Sequence, residues 1–165
     1  MEMKPGWLLI AFLAVMVATG CSQHSSESAA DQGPPSPALT ADDNTWGGYL
    51  AELGKIHGKE APSRPYIFLV PDGDNAEALA RRKDLVHYVS SAIGPVILPG
   101  SMLIIGGRSP SQTNAFAWEI GGLAPKDALK GSIVLIINDG KDQEAISKSF
   151  AASQATVRFA QMRQN

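Results

Sequence analysis

The stretch Tyr66-Ile67-Phe68-Leu69-Val70-Pro71-Asp72-Gly73 decides the fold. Its opening run is apolar without any polar alternation, which predicts a strand covered on both faces rather than one with a wet side. Pro71-Asp72-Gly73 then supplies turn chemistry and ends it. Directly beyond, Asn75 to Ile93 carries Leu79, Val86, Val89 and Ile93 in one stripe at about 100° per residue, with Leu85 and Ala92 at its edge, the pattern of an amphipathic helix. A strand buried on both faces needs helices on both sides.

Working outward, the same alternation recurs. Ser101 to Ile105 reads as a second buried strand and Ser109 to Leu123 as a helix that weakens at Gly121-Gly122. Ser132 to Ile137 reads as a third strand. Gln143 to Met162 reads as a last helix with Ile146, Phe150, Ser153, Val157 and Ala160 along one face. Upstream, Asn44 to His57 places Trp46, Tyr49, Leu50, Leu53 and Ile56 at helical spacing, with Gly58 as its C′ residue. Val96-Ile97-Leu98 is a possible extra short strand, and Pro99-Gly100 suits a type II turn that would fold it into a hairpin with the next strand. Phe116 and Trp118 are both expected in the core. Strands alternating with helices imply a parallel sheet joined by crossovers. The expectation is therefore an α/β fold, a small three-layer domain over residues 44–165 with a mainly parallel sheet of three or four strands and flanking helices.

Residues 1–43 read differently. An apolar run from Trp7 to Val17 is about half the length needed to cross a bilayer, so it is a signal-peptide core and not a membrane span. It leads into Ala18-Thr19-Gly20-Cys21, and Cys21 is the only cysteine of the chain. Taken alone, a single cysteine in a secreted chain is a free thiol or an intermolecular partner. Its place here resembles the lipobox of bacterial lipoproteins, which implies cleavage before Cys21 and a diacylglycerol on its thiol. Each buried methylene of such a chain adds about 0.8 kcal/mol of membrane affinity, so two or three chains hold a protein at a bilayer. Ser22 after that cysteine resembles lipoproteins sent to the outer membrane. Residues 22–43, rich in Ser, Pro and Gly with Leu39 as their only large aliphatic residue, read as a disordered tether spanning roughly 25 Å on average. The location expected from these features is the bacterial cell envelope, lipid-anchored at the outer membrane and facing the periplasm.

Charge narrows the partners. Loss of residues 1–20 removes one acid, Glu2, and one base, Lys4, so the formal charge of -2 is kept, which recruits neither nucleic acid nor anionic lipid. No disulfide is available either.

If the strands are parallel, the loops after Val70, Ile105 and Ile137 share one edge of the sheet, where open α/β folds bind ligands. In the middle loop, Ser109-Pro110-Ser111-Gln112 fits a capping box behind Gly106-Gly107. Gly106, Gly107, Arg108 and Ser109 are a candidate anion site, because a helix start offers N–H groups beside a guanidinium; turn-and-cap chemistry is the plainer account of the same residues. Asp72, Asp74, Asp139 and Asp142 form a polar edge whose carboxylates either gather on Mg²⁺ or Ca²⁺ or serve as caps, Asp74 with Glu77 and Asp139 or Asp142 on the last helix. No metal and no cofactor is expected. Arg82, inside the apolar stripe of its helix, either snorkels off the buried face or faces a ligand. His24, His57 and His87 make no metal motif, and neither a phosphate loop nor a nucleophile elbow is present, so no catalytic residue is assigned.

These features favour a non-catalytic, protein-binding domain of a membrane-anchored envelope lipoprotein. Its envelope partner would belong to a secretion, transfer or envelope assembly, or be a toxin that an immunity protein neutralises. The alternative is a small-ligand-binding or hydrolytic enzyme using the strand-end loops.

Overall fold

The computed structural model describes residues 33–60 and 65–163. Cys21, the signal peptide and tether residues 22–32 lie outside these. The elements are α1 (Asp43–His57), β1 (Tyr66–Val70), α2 (Ala76–Ala92), β2 (Met102–Gly107), α3 (Pro110–Leu123), β3 (Ile133–Asn138), α4 (Gln143–Ser149), a 3₁₀ turn at Ala151–Ser153, and β4 (Thr156–Gln161). The strands form one parallel sheet in the order β1-β2-β3-β4. It is the α/β architecture expected.

Register explains the layers. Phe68, Ile105, Ile136 and Phe159 lie side by side across the sheet, and this row packs with Val86 and Val89 of α2, Phe116 and Ile120 of α3, and Ile146 of α4. The neighbouring row, Ile67, Ile104, Leu135 and Arg158, faces the other way. There Ile104 and Leu135 meet Trp46, Leu50 and Leu53 of α1. A single helix is about 10–12 Å wide, whereas the outer strands of four are separated by about 14 Å. The central pair of this row is consequently buried while Ile67 at one edge stays 36% exposed.

The helix expected over Gln143–Met162 divides into α4, the 3₁₀ turn and the edge strand β4. Gln154 in the left-handed region (φ 60°) turns the chain. Beyond it, Val157 and Phe159 join the α2–α4 core while Ala160 joins the α1 core. Side chains serving opposite faces of a sheet require the twofold alternation of a strand.

The domain also begins earlier than 44. Asp42 is the N-cap of α1, accepting from Thr45 N at 2.7 Å. Residues 33–41, read as tether, form a strap against the domain: Ser36 N donates to the Arg163 carbonyl (2.8 Å), and Trp46 Nε1 to the Ala38 carbonyl (3.3 Å). The strap is held largely through its backbone, by the Ser36 N–H and the carbonyls of Ala38, Leu39 and Ala41, so composition did not reveal it.

Smaller differences have equally local causes. Leu79 is exposed, with Ala78 buried in its stead: Ala78 lies eleven residues, about three full turns, before buried Val89 and so on the same face of α2. Val96–Leu98 is not a strand. Ile97 plugs the core and bridges only to Ile93, although Pro99-Gly100 does turn as expected, with Gly100 at φ 82° and Ser101 N donating to the Leu98 carbonyl (3.1 Å). Gly58 has φ −115°, so α1 does not end in a left-handed C′ residue. At Gly121 a Cβ would collide with Ser149 and Phe150, and the missing side chain lets α4 lie close on α3.

Candidate functional site

Three strand ends open onto the carboxyl edge of the sheet, and internal polar contacts close each of them. After β1, Gly73 (φ 98°) turns the chain and Asn75 caps α2, its Oδ1 accepting from Ala78 N at 2.8 Å. The cap is therefore not Asp74. Arg82 neither snorkels away nor faces a ligand: its Nη1 donates to the carbonyls of Pro71 (2.9 Å) and Gly73 (2.7 Å).

After β2, Gly106 and Gly107 are buried within the strand. A Cβ on Gly107 would stand 2.7 Å from the Val70 carbonyl oxygen, so close strand approach demands glycine there. Ser109 caps α3 with Pro110 behind it, its Oγ accepting from Gln112 N at 3.4 Å. Only half of the capping box forms, because the Gln112 amide reaches instead to the Gly73 carbonyl (3.2 Å) and Asp74 (3.0 Å).

Arg108 leaves this turn toward the strap. Its Nε donates to the Leu39 carbonyl (3.1 Å), and its Nη2 to the Ala41 carbonyl (2.7 Å) and Asp43 (2.7 Å). Asp72 lies 3.7 Å from Nη1, and the Trp46 ring stacks 5.7 Å from the guanidinium carbon. With its side chain only 13% exposed and two carboxylates beside it, this cation is neutralised from within the chain. Gly106, Gly107, Arg108 and Ser109 are thus adjacent, but their arrangement ties the strap to the sheet and does not aim positive charge outward.

After β3, the loop hangs on a pair of amides absent from the sequence reading. Asn138, fully buried, donates to Asn114 Oδ1 (2.8 Å) and the Lys141 carbonyl (3.2 Å), and its Oδ1 accepts from Gly140 N (2.9 Å). Asn114 in turn donates to Asp142 Oδ2 at 3.1 Å. Asp142 sits at the start of α4 in the left-handed region without capping it through its side chain. Asp139 pairs with Lys141 Nζ at 3.0 Å, and this contact holds its carboxyl below the ordinary carboxylate value and the Lys141 ammonium above its own. An asparagine closing an apolar strand ahead of Asp-Gly was the available signal.

The four acids therefore stand apart, each on its own partner. Among the described residues no group of three or more His, Cys, Asp or Glu side chains is placed to hold a metal ion. The order β1-β2-β3-β4 also never reverses, so the edge lacks the switch point at which neighbouring loops part to make a crevice.

Two concavities border this edge. One, of about 330 Å³, lies under the strap between Pro37, Leu39, Trp46, Arg108, Pro110 and Met162. The other is an open groove of about 530 Å³ between α3 and α4, walled by Ala115, Trp118, Ala145 and Ile146 with Glu119 and Asp142 at its sides. Trp118 is 59% exposed there, against the expectation of a core residue. It lies two positions beyond buried Phe116, about 200° around the helix, so both cannot face the core. No protein-family model, curated protein or solved structure matches the chain.

Proposed function

We propose that residues 33–163 are the non-catalytic, protein-binding domain of a cell-envelope lipoprotein anchored through Cys21, serving a secretion, transfer or envelope assembly or acting as an immunity protein. One observation carries the binding assignment. A large aromatic side chain, Trp118, is presented in an apolar groove on a regular helix, while the strand-end polar groups where α/β enzymes do chemistry are engaged with one another. Exposed tryptophans are enriched among residues that dominate protein interfaces. The anchor rests on Ala18-Thr19-Gly20-Cys21. Among the described residues, no helix is long and apolar enough to cross a membrane.

A photo-crosslinking residue placed in turn at Leu39, Tyr88, Trp118 and Leu123, all exposed, tests this in intact cells. A discrete protein adduct at one of these faces is expected, weakened when Cys21→Ala removes the lipid. Absence of an adduct at all four positions would remove the protein-binding reading. An unmodified Cys21 at the mature N-terminus, read by mass spectrometry, would remove the anchor. The pocket beside Arg108 favours a second reading, a small-ligand binder. It requires a ligand-dependent rise in melting temperature that Arg108→Ala abolishes.

A further inference from the structure

We infer that the groove between α3 and α4 docks a basic amphipathic segment of a partner protein, which lays its apolar stripe on Trp118 and sets a lysine or arginine against Glu119 and Asp142. This rests on the protein-binding reading and names its surface and chemistry. The floor is apolar and low: Ala115 and Ala145 are small, so a second backbone can approach closely. An amphipathic helix lying in a groove needs such a floor, with a large anchor at one point. Trp118 is that anchor.

Charge selects the partner. Glu119 and Asp142 line the groove, and among the described residues neither is in an ion pair. The basic side chains of the α4 region, Lys141 and Lys148, are outside the lining, and Lys141 is paired with Asp139. Carboxylates beside an exposed indole attract a cation twice, through the charges and through the ring face. The same carboxylates repel an acidic peptide or an anionic lipid surface. The contrast with Arg108 is direct: there the indole of Trp46 already has its cation, and here the indole of Trp118 has none from the chain itself among the described residues.

The test titrates a synthetic Lys/Leu amphipathic helix and its Glu/Leu counterpart into the full chain in mild detergent, following the heat of binding by calorimetry. Saturable binding of the basic peptide alone is expected, weakening with salt. Trp118→Ala and Glu119→Lys should each reduce affinity by about tenfold or more, whereas Tyr88→Ala, on the exposed side of α2, should not. Unchanged melting curves for these surface variants would separate lost binding from lost folding. Equal binding of the acidic peptide, or basic-peptide binding that survives both groove variants, would overturn the inference. If the basic peptide fails to bind while crosslinks form at Tyr88 or Leu39, the groove is wrong and the protein-binding reading stands.

Discussion

Two tryptophans divide the molecule. Trp46 on α1 is 1% exposed, edge-on to Tyr49, donating to the strap and stacked under Arg108. Trp118 on α3 is mostly exposed beside Glu119 and Asp142, neither of which is in an ion pair among the described residues. On the α1 side the chain supplies partners for the indole of Trp46, the Arg108 guanidinium and the strap carbonyls, whereas on the α3–α4 side it leaves the indole of Trp118 presented. Self-satisfied groups hold a fold together, and presented groups are available to something else.

The largest expected effect breaks this comparison most directly. Trp46→Ala should cost about 3–5 kcal/mol, as for large buried side chains generally, while Trp118→Ala should stay within about 0.5 kcal/mol. Chemical denaturation measures both, and equal losses would erase the distinction. Next in size, Arg108→Ala should cost about 2 kcal/mol, because two strap carbonyls and Asp43 lose a charged donor together. Protease cleavage within residues 33–41 should accelerate in parallel. A loss below about 0.5 kcal/mol would mean that the strap is not held by this latch.

Tyr49→Phe sharpens the same side in the opposite direction. The hydroxyl is buried with no hydrogen-bond partner among the described residues, and burial raises its pKa above the ordinary 10.0. Removing it should raise stability by about 1 kcal/mol. A group whose folded pKa is raised contributes stability that is complete below its unfolded value and lost as pH rises beyond it. The wild type should therefore weaken above pH 10.0 in a way that Tyr49→Phe does not, which alkaline melting curves would show.

The smallest expected effect is at the acid end. The Thr45 backbone N–H holds the Asp42 carboxyl below its ordinary 3.8, and Lys141 does the same for Asp139. Depressed folded values favour the ionised form, so this stabilisation is full above pH 3.8 and is lost as pH falls further. Asp42→Asn, which keeps a capping oxygen, should flatten the acid limb slightly. An unchanged limb would show that the cap does not sense charge.

Legibility followed burial. β2 and β3 were readable because α1 on one face and α2–α4 on the other leave their residues little choice but to be apolar. By contrast β1, expected to be covered on both faces, is an edge strand with Ile67 exposed and was readable from its unbroken apolar run alone. The edge strand β4 is half covered, and its Val157, Arg158, Phe159 and Ala160 fit a helical stripe as well as an alternating one. Pairing with β3 decided it. Arg158 illustrates the point, for its donors reach the His57 carbonyl at the end of α1 and Glu60, partners remote in sequence.

At the site, the sequence identified the cap at Ser109 and the carboxylates of the edge, but it placed Gly106-Gly107 in the loop, where the structure has them inside β2. It could not say where the Arg108 guanidinium turns, since its acceptors are carbonyls of a Pro-rich segment about 70 residues away. Nor could it reveal the Asn114–Asn138 pair or the groove, which join side chains of elements separated along the chain. By itself, then, the sequence determined the helices and strands that apolar periodicity encodes, the parallel architecture they imply and the lipobox pattern at Cys21. Tertiary structure alone decided strand order, the fourth strand, the strap and which tryptophan faces outward. Periodicity is a property of neighbouring residues, whereas hydrogen-bond partners and exposed faces depend on what packs against them from far along the chain.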